Sequence, residues 1–227
     1  TFDVVGPYTL GSVSSYGENV TDNQGNRLYD KNAEGMITGA CSEAYNDGLD
    51  FSPYDWDDDG FVEMVYVVYA GEGEATGGGA ETIWPHKSQL PTNPRYGNKR
   101  VSIYACSNEV NGGNKLAGIG TICHEFSHCM GYPDVYDIEY GGNYGMGTWD
   151  LMCSGSYNGD TYCPAGYTAY EKMVAGWINP IELTENASYS DIKTIADGGD
   201  AYIFYHPENK DEYYLIENRQ RKGWDKY

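Results

Sequence analysis

The apolar residues of this 227-residue chain change spacing several times, and each change predicts an element. Up to about Asp50 short apolar pieces stand among Gly, Asn, Asp, Ser and Tyr, which predicts an irregular entry ending in a short helix at "EGMITGACSEAYND". "EMVYVVYAG" carries β-branched and aromatic residues on both parities, the pattern of a strand covered on both faces, and is expected centrally in a sheet. "TIWPHKSQL" and "RVSIYACSN" have shorter strand character, the second alternating Val101, Ile103 and Ala105 against Ser102, Tyr104 and Cys106. A mixed sheet follows, with "RVSIYACSNEV" as its candidate edge strand.

From Lys115 the spacing turns helical through Leu116, Ile119, Ile122, Cys123, Phe126 and Met130, which predicts a helix from about Asn114 to Met130. "PAGYTAYEKMVAGWINP" has Pro164 at its start and Gly176 and Pro180 at its end, and predicts a second long helix. "DAYIFYHPENKDEYYLIENRQRKGWDKY" reads as two strands joined by the turn "PENKD". Together these elements predict an α/β (α+β) fold of one domain, with room for two lobes.

Charge narrows the partners. Asp and Glu number 34 against 14 Lys and Arg, a formal net charge of −20, so phosphate backbones and anionic lipid would be repelled and nucleic acid is not expected. No apolar run is long enough to span a bilayer. The chain opens without a basic or apolar leader, so an extracellular setting is inferred and not read. Six cysteines, at 41, 106, 123, 129, 153 and 163, permit either disulfides or buried thiols, and no C-x-x-C pair suggests a thiolate zinc site.

The chemistry concentrates in "GTICHEFSHCMGYPDVYD", residues 120–137. His124 and His128 stand one helical turn apart, on the face opposite the Leu116, Ile119 and Phe126 stripe, so two imidazoles can reach one cation. Gly131 can end the helix with positive φ and Pro133 forbids its continuation, returning Asp134 toward the histidines as a third ligand. Asp137, three residues on, is the alternative ligand or an outer acceptor for a histidine N–H. Two nitrogens and a carboxylate suit zinc. Glu125, beside the first ligand, is placed to act as general base on a water activated by the metal, and the predicted reaction is amide hydrolysis.

A second acidic stretch, "YDWDDDGFVE", alternates Asp55, Asp57 and Asp59 before Gly60, as in the first half of a calcium loop. Phe61 could add its carbonyl, and Glu63 or Asp50 would complete the shell in place of the missing twelfth-position Glu.

The eleven residues "HEFSHCMGYPD" resemble the long motif HExxHxxGxx(H/D) of the metzincin peptidases, which a Met-containing turn follows. With "WDLMCSGSYNG" and "YDWDDDGFVEMVYVVYAGEGE" they resemble the secreted immune-inhibitor-A-type bacterial metallopeptidases over about residues 50–227. The resemblance implies a metzincin-like, two-lobed catalytic domain, with an upper part at 1–131, a lower part at 132–227 and chain missing at both ends. It makes Met152 the Met-turn residue, a floor under the histidines, and Tyr157 a hydrogen-bond donor to the transition state. The expected protein is a monomeric extracellular bacterial zinc endopeptidase, calcium-stabilised, released from its own pro-segment and acting on extended peptide or protein. Two rivals are a calcium-binding interaction module on an inactive peptidase fold and a zinc amidohydrolase of small molecules. The retained Glu125 argues against the first and the Met-turn resemblance against the second.

Overall fold

The computed structural model describes residues 2–139 and 141–227. They divide into two compact units: the chain up to Ala117 together with His124–Gly131, and Gly118–Cys123 together with Tyr132–Tyr227.

In the first unit a single turn α1 (Ser14–Gly17) precedes the hairpin of β1 (Asn19–Thr21) and β2 (Arg27–Asp30). The helix expected at "EGMITGACSEAYND" follows as α2 (Ala33–Asn46). Its buried residues Ala33, Met36, Ile37, Cys41 and Ala44 recur every three to four positions, and Gly48 at φ 100° lies just past its end. Ala33, Met36, Ile37 and Cys41 of that stripe pack in one core with Phe51, Val62, Tyr69, Ile83, Leu90, Tyr96, Val101, Tyr104 and Cys106. Cutting the fully buried Ile37 back to alanine there costs about 2–5 kcal/mol.

Two small sheets supply the strand side. One has the order β3 (Phe61–Val62), β7 (Lys99–Val101), β6 (Arg95–Tyr96). The other has the order β4 (Val65–Glu72), β8 (Ile103–Asn111), β5 (His86–Gln89), with β9 (Lys115–Leu116) also paired to β8. It is mixed as expected, β8 running parallel to β4 and antiparallel to β5 and β9.

The expected strand order is reversed, however. The stretch taken for the edge becomes the central strand β8, with Tyr104, Ala105, Cys106, Ser107 and Asn108 all buried, while β4 is an outer strand. Apolar residues on both parities of β4 serve half-covered faces, and Val68 is exposed.

The helix expected from Asn114 starts later. Asn111, Gly112, Gly113 and Asn114 make the turn of the β8–β9 hairpin, with Gly113 at φ 78° and Asn114 at φ 59°, so α3 runs only over Ile119–Cys129. Turn chemistry overrides helical spacing at its first residues.

In the second unit α4 (Ala169–Val174) is six residues long, not a long helix. Thr168 accepts the Glu171 N–H while Glu171 Oε2 accepts the Thr168 N–H at 2.7 Å, a reciprocal cap, and Gly176 at φ 72° ends the helix early. The strands read from the C-terminal stretch are β11 (Tyr202–His206) and β12 (Asn209–Ile216), antiparallel, with β10 (Ile181–Glu182) alongside β11. A small core gathers Tyr132, Leu151 and Met152, with Cys123, Val135 and Tyr167 packed against it.

Candidate metal centre

Small residues build the start of the metal-bearing helix. A Cβ on Gly120 would collide with the Ser156 carbonyl oxygen, and one on Gly118 with the backbone at Thr161. This close approach lets Gly118 N–H donate to Thr161 Oγ1 at 2.9 Å and Gly120 N–H to Thr161 O at 2.8 Å. Thr161 adopts φ 68°, an uncommon conformation for a β-branched residue, and so holds its acceptors toward the helix start.

Burial between Leu116 and Met130 does not follow the apolar stripe. Gly120, Glu125 and Ser127 are buried, whereas Leu116, Ile119, Phe126 and Met130 are exposed. At its other end Met130 N–H and Gly131 N–H fold back onto Ser127 O and His128 O, and Gly131 takes φ 96°, the left-handed turn its place in the motif requires.

His124 Nε2 and His128 Nε2 lie 3.2 Å apart, with their rings edge to face at 87°. Zinc at its usual distance of about 2.0–2.1 Å from each of two tetrahedral nitrogens would separate them by about 3.4 Å. One carboxylate oxygen of Asp134 completes a group whose ligand atoms all lie within 4.8 Å of one another. The donor set and its spacing therefore fit zinc. Asp137 instead binds its own loop, its Oδ1 accepting Glu139 N–H and its Oδ2 accepting Asn143 N–H.

Glu125 is 7 % exposed. Tyr157, in the 3₁₀ turn Ser154–Tyr157, is 55 % exposed and can meet a ligand from solvent. Met152 is completely buried in the small core, and Asp150 Oδ1 accepts its N–H at 2.7 Å. Asp150 is a buried member of this turn that no motif marks. Its signal was the D-x-M spacing, since Asp commonly bonds the backbone two residues on.

The acidic loop holds a second group. Asp55, Asp57 and Glu63 bring one carboxylate oxygen each to within 4.8 Å of one another. Asp59 lies outside that group, its Oδ1 accepting Phe61 N–H at 2.7 Å, and Asp50 caps Ser52 N–H. Phe61 opens β3. The Asp55 carboxylate takes the N–H groups of Asp59 and Gly60, which winds the loop around it. Gly60 sits at φ 92°.

Glu63 Oε1 accepts Trp56 N–H, while its Oε2 is buried with no hydrogen-bond partner among the described residues. An all-oxygen cluster with an orphaned carboxylate oxygen fits a hard cation such as calcium. One competitor is already present. Lys99 Nζ stands 2.5 Å from Asp55 Oδ2, and this pairing holds the Asp55 carboxyl below its usual range and raises the Lys99 ammonium.

The disulfides that the cysteine count permitted are not formed; all six side chains are thiols. Burial pushes the Cys41 thiol up to about 12 and Cys129 up to about 11, so both stay protonated at neutral pH and are poor metal ligands or nucleophiles.

Residues 9–178 match the family described as the immune inhibitor A peptidase M6 catalytic domain. The match starts well before residue 50, where the resemblance in the sequence begins, and stops short of the C-terminal sheet. An immune inhibitor A of Bacillus thuringiensis subsp. alesti is 24 % identical over 208 residues, covering 76 % of this chain and 30 % of the relative. A pre-pro-metalloprotease PrtV of Vibrio cholerae serotype O1 is 27 % identical over 192 residues, covering 69 % of this chain and 21 % of the relative. The chain thus spans under a third of the length of these curated relatives.

Proposed function

We propose that this chain, which belongs to the immune inhibitor A peptidase M6 family, is the catalytic domain of an extracellular zinc endopeptidase. The observation that carries the reading is the 3.2 Å approach of the two histidine Nε2 atoms, with the Asp134 carboxylate grouped beside them. His124, His128 and Asp134 would hold the ion. Bound there, zinc would supply Lewis-acid polarisation of the peptide carbonyl and of the attacking water.

The remaining chemistry belongs to side chains. Glu125 takes a proton from the attacking water and returns it to the leaving amide nitrogen, a transfer that its burial beside His124 shields from bulk water. Tyr157 donates its phenolic hydrogen to the oxygen that gains charge as water adds. Substrate lies extended along the open edge of β5, whose Lys87 is electrostatically close to Cys129 at the end of α3. In this reading Met152 is the floor of a Met-turn, and the two compact units correspond to the two lobes of a metzincin-like enzyme. A pro-segment that covers the site until removed, and a monomeric working form, complete it.

The acidic loop in this reading binds calcium through Asp55, Asp57 and Glu63 and has a stabilising role at the entry to β3. The test of the whole is metal content. Chain reconstituted with zinc and calcium and then dialysed should retain one zinc per molecule and cleave an unfolded protein. His124→Ala should retain no zinc and cleave nothing, and equal zinc in both would sink the assignment.

A further inference from the structure

The third ligand of the proposed zinc site, unlike the two histidines, comes from irregular backbone, and something must aim it. Asp134 follows Gly131 at φ 96° and Pro133, with no helical ladder to fix its direction. Two anchors bracket it instead. Before it, the buried Tyr132 donates its hydroxyl to Glu171 O at 2.8 Å, with its ring against Tyr167. After it, Val135 N–H donates to Met152 O at 3.0 Å.

That second bond acts on the ligand directly. Val135 N belongs to the same peptide plane as the Asp134 carbonyl, so pinning this N–H fixes ψ of Asp134 and with it the direction of its Cα–Cβ bond. Met152 O can pin it only if its own peptide is fixed. Asp150, 2 % exposed, holds the peptides on both sides of Met152: its Oδ1 accepts Met152 N–H, of the Leu151–Met152 peptide, at 2.7 Å, and its backbone oxygen accepts Gly155 N–H and also Cys153 N–H, of the peptide that carries Met152 O. Leu151 and Met152 are buried in the same small core as Val135, which removes competing water from the chain of bonds.

We propose that Asp150 is a positioning residue for the metal ligand Asp134: its carboxylate holds Met152 N–H and so fixes the Met152 backbone whose carbonyl accepts Val135 N–H. The inference rests on the zinc reading above. It assigns Asp150 a structural relay to the site, with no contact to substrate or metal. Residues that orient metal ligands change affinity by about 10–100-fold when removed, and that range sets the expectation.

The test measures zinc dissociation constants by competition with a chromogenic chelator, beside peptide kinetics at saturating zinc. Asp150→Ala should bind zinc at least tenfold more weakly and lower kcat with KM unchanged. Asp150→Asn, which keeps an oxygen acceptor for Met152 N–H, should recover zinc affinity to within about threefold of wild type, on the same scale. A purely structural role would lower the melting temperature of Asp150→Ala yet leave the zinc affinity of its folded fraction unchanged, and that result overturns the proposal. Equal losses in Asp150→Ala and Asp150→Asn overturn it too, since the acceptor would then not be what matters. If Asp150→Ala does not fold, Val135→Pro removes the other end of the relay and should show the same tenfold loss. A wild-type chain that takes up no zinc overturns the parent reading and this one together; wild-type binding that Asp150→Ala leaves intact overturns the relay alone.

Discussion

The two ligand groups of this molecule reach similar compactness by opposite means. At the first, one helical turn sets two neutral nitrogens 3.2 Å apart, and a glycine-ended reversal brings back one carboxylate. At the second, three carboxylates are gathered by a loop wound on Asp55, and part of their repulsion is already relieved by Lys99 at 2.5 Å. The first group carries one formal negative charge and presents soft-to-borderline donors suited to a cation that does chemistry. The second carries three and presents only hard oxygens, suited to a cation that holds structure. Residue type thus sets which ion each group favours, while a side chain remote in sequence, Lys99, sets whether a metal ion at the acidic loop would have to compete for its place.

The comparison breaks most sharply at the histidines. His128→Ala should abolish both zinc retention and cleavage, because one nitrogen and one carboxylate do not make a catalytic zinc site. Zinc content by mass spectrometry and cleavage of an unfolded protein read this directly, and substantial activity without His128 would show that the histidine pair does not hold the catalytic ion.

At the loop the expected effects are on stability. Calcium at a hundred times its dissociation constant adds about 2.7 kcal/mol, or roughly 5–10 °C in melting temperature for a chain of this size. Asp57→Asn should remove most of that rise, while Asp59→Asn, outside the three-residue group, should keep most of it. Scanning calorimetry with and without calcium decides, and equal losses in the two variants would restore the alternating Asp55, Asp57, Asp59 set. The smallest effect is expected at Lys99. Lys99→Met removes the resident cation and should tighten calcium binding several-fold by titration calorimetry, since Asp55 no longer has to give up a partner. Unchanged or weaker binding would show that Lys99 and calcium do not compete.

Legibility differed between the two regions for physical reasons. The spacing of His124, Glu125, His128, Gly131 and Asp134 is read through the fixed geometry of a helix and its termination, so the sequence alone predicted which groups could meet. The acidic loop has no such period. Alternation suggested Asp59, yet the backbone turns it to cap Phe61; of the two residues expected to complete the shell Glu63 joins the group and Asp50 does not, and Lys99 lies 44 residues away from Asp55, beyond any local pattern. Strand order failed for a related reason: β4 and β8 are both rich in apolar residues, and only pairing partners, which are non-local, make β8 central. Asp150 was legible in principle from its spacing to Met152, but its consequence for Asp134 depends on a bond to Val135 that no sequence pattern announces.

The central claim is that the histidine-bearing group performs hydrolysis with Glu125 moving the proton. It is tested most directly by comparing wild type with Glu125→Ala, both loaded with zinc, on an unfolded protein substrate with products read by mass spectrometry. The account predicts that the variant retains one zinc per chain and cleaves about 10²–10⁴-fold more slowly, the usual worth of a general acid–base. Undiminished cleavage by zinc-loaded Glu125→Ala would contradict it.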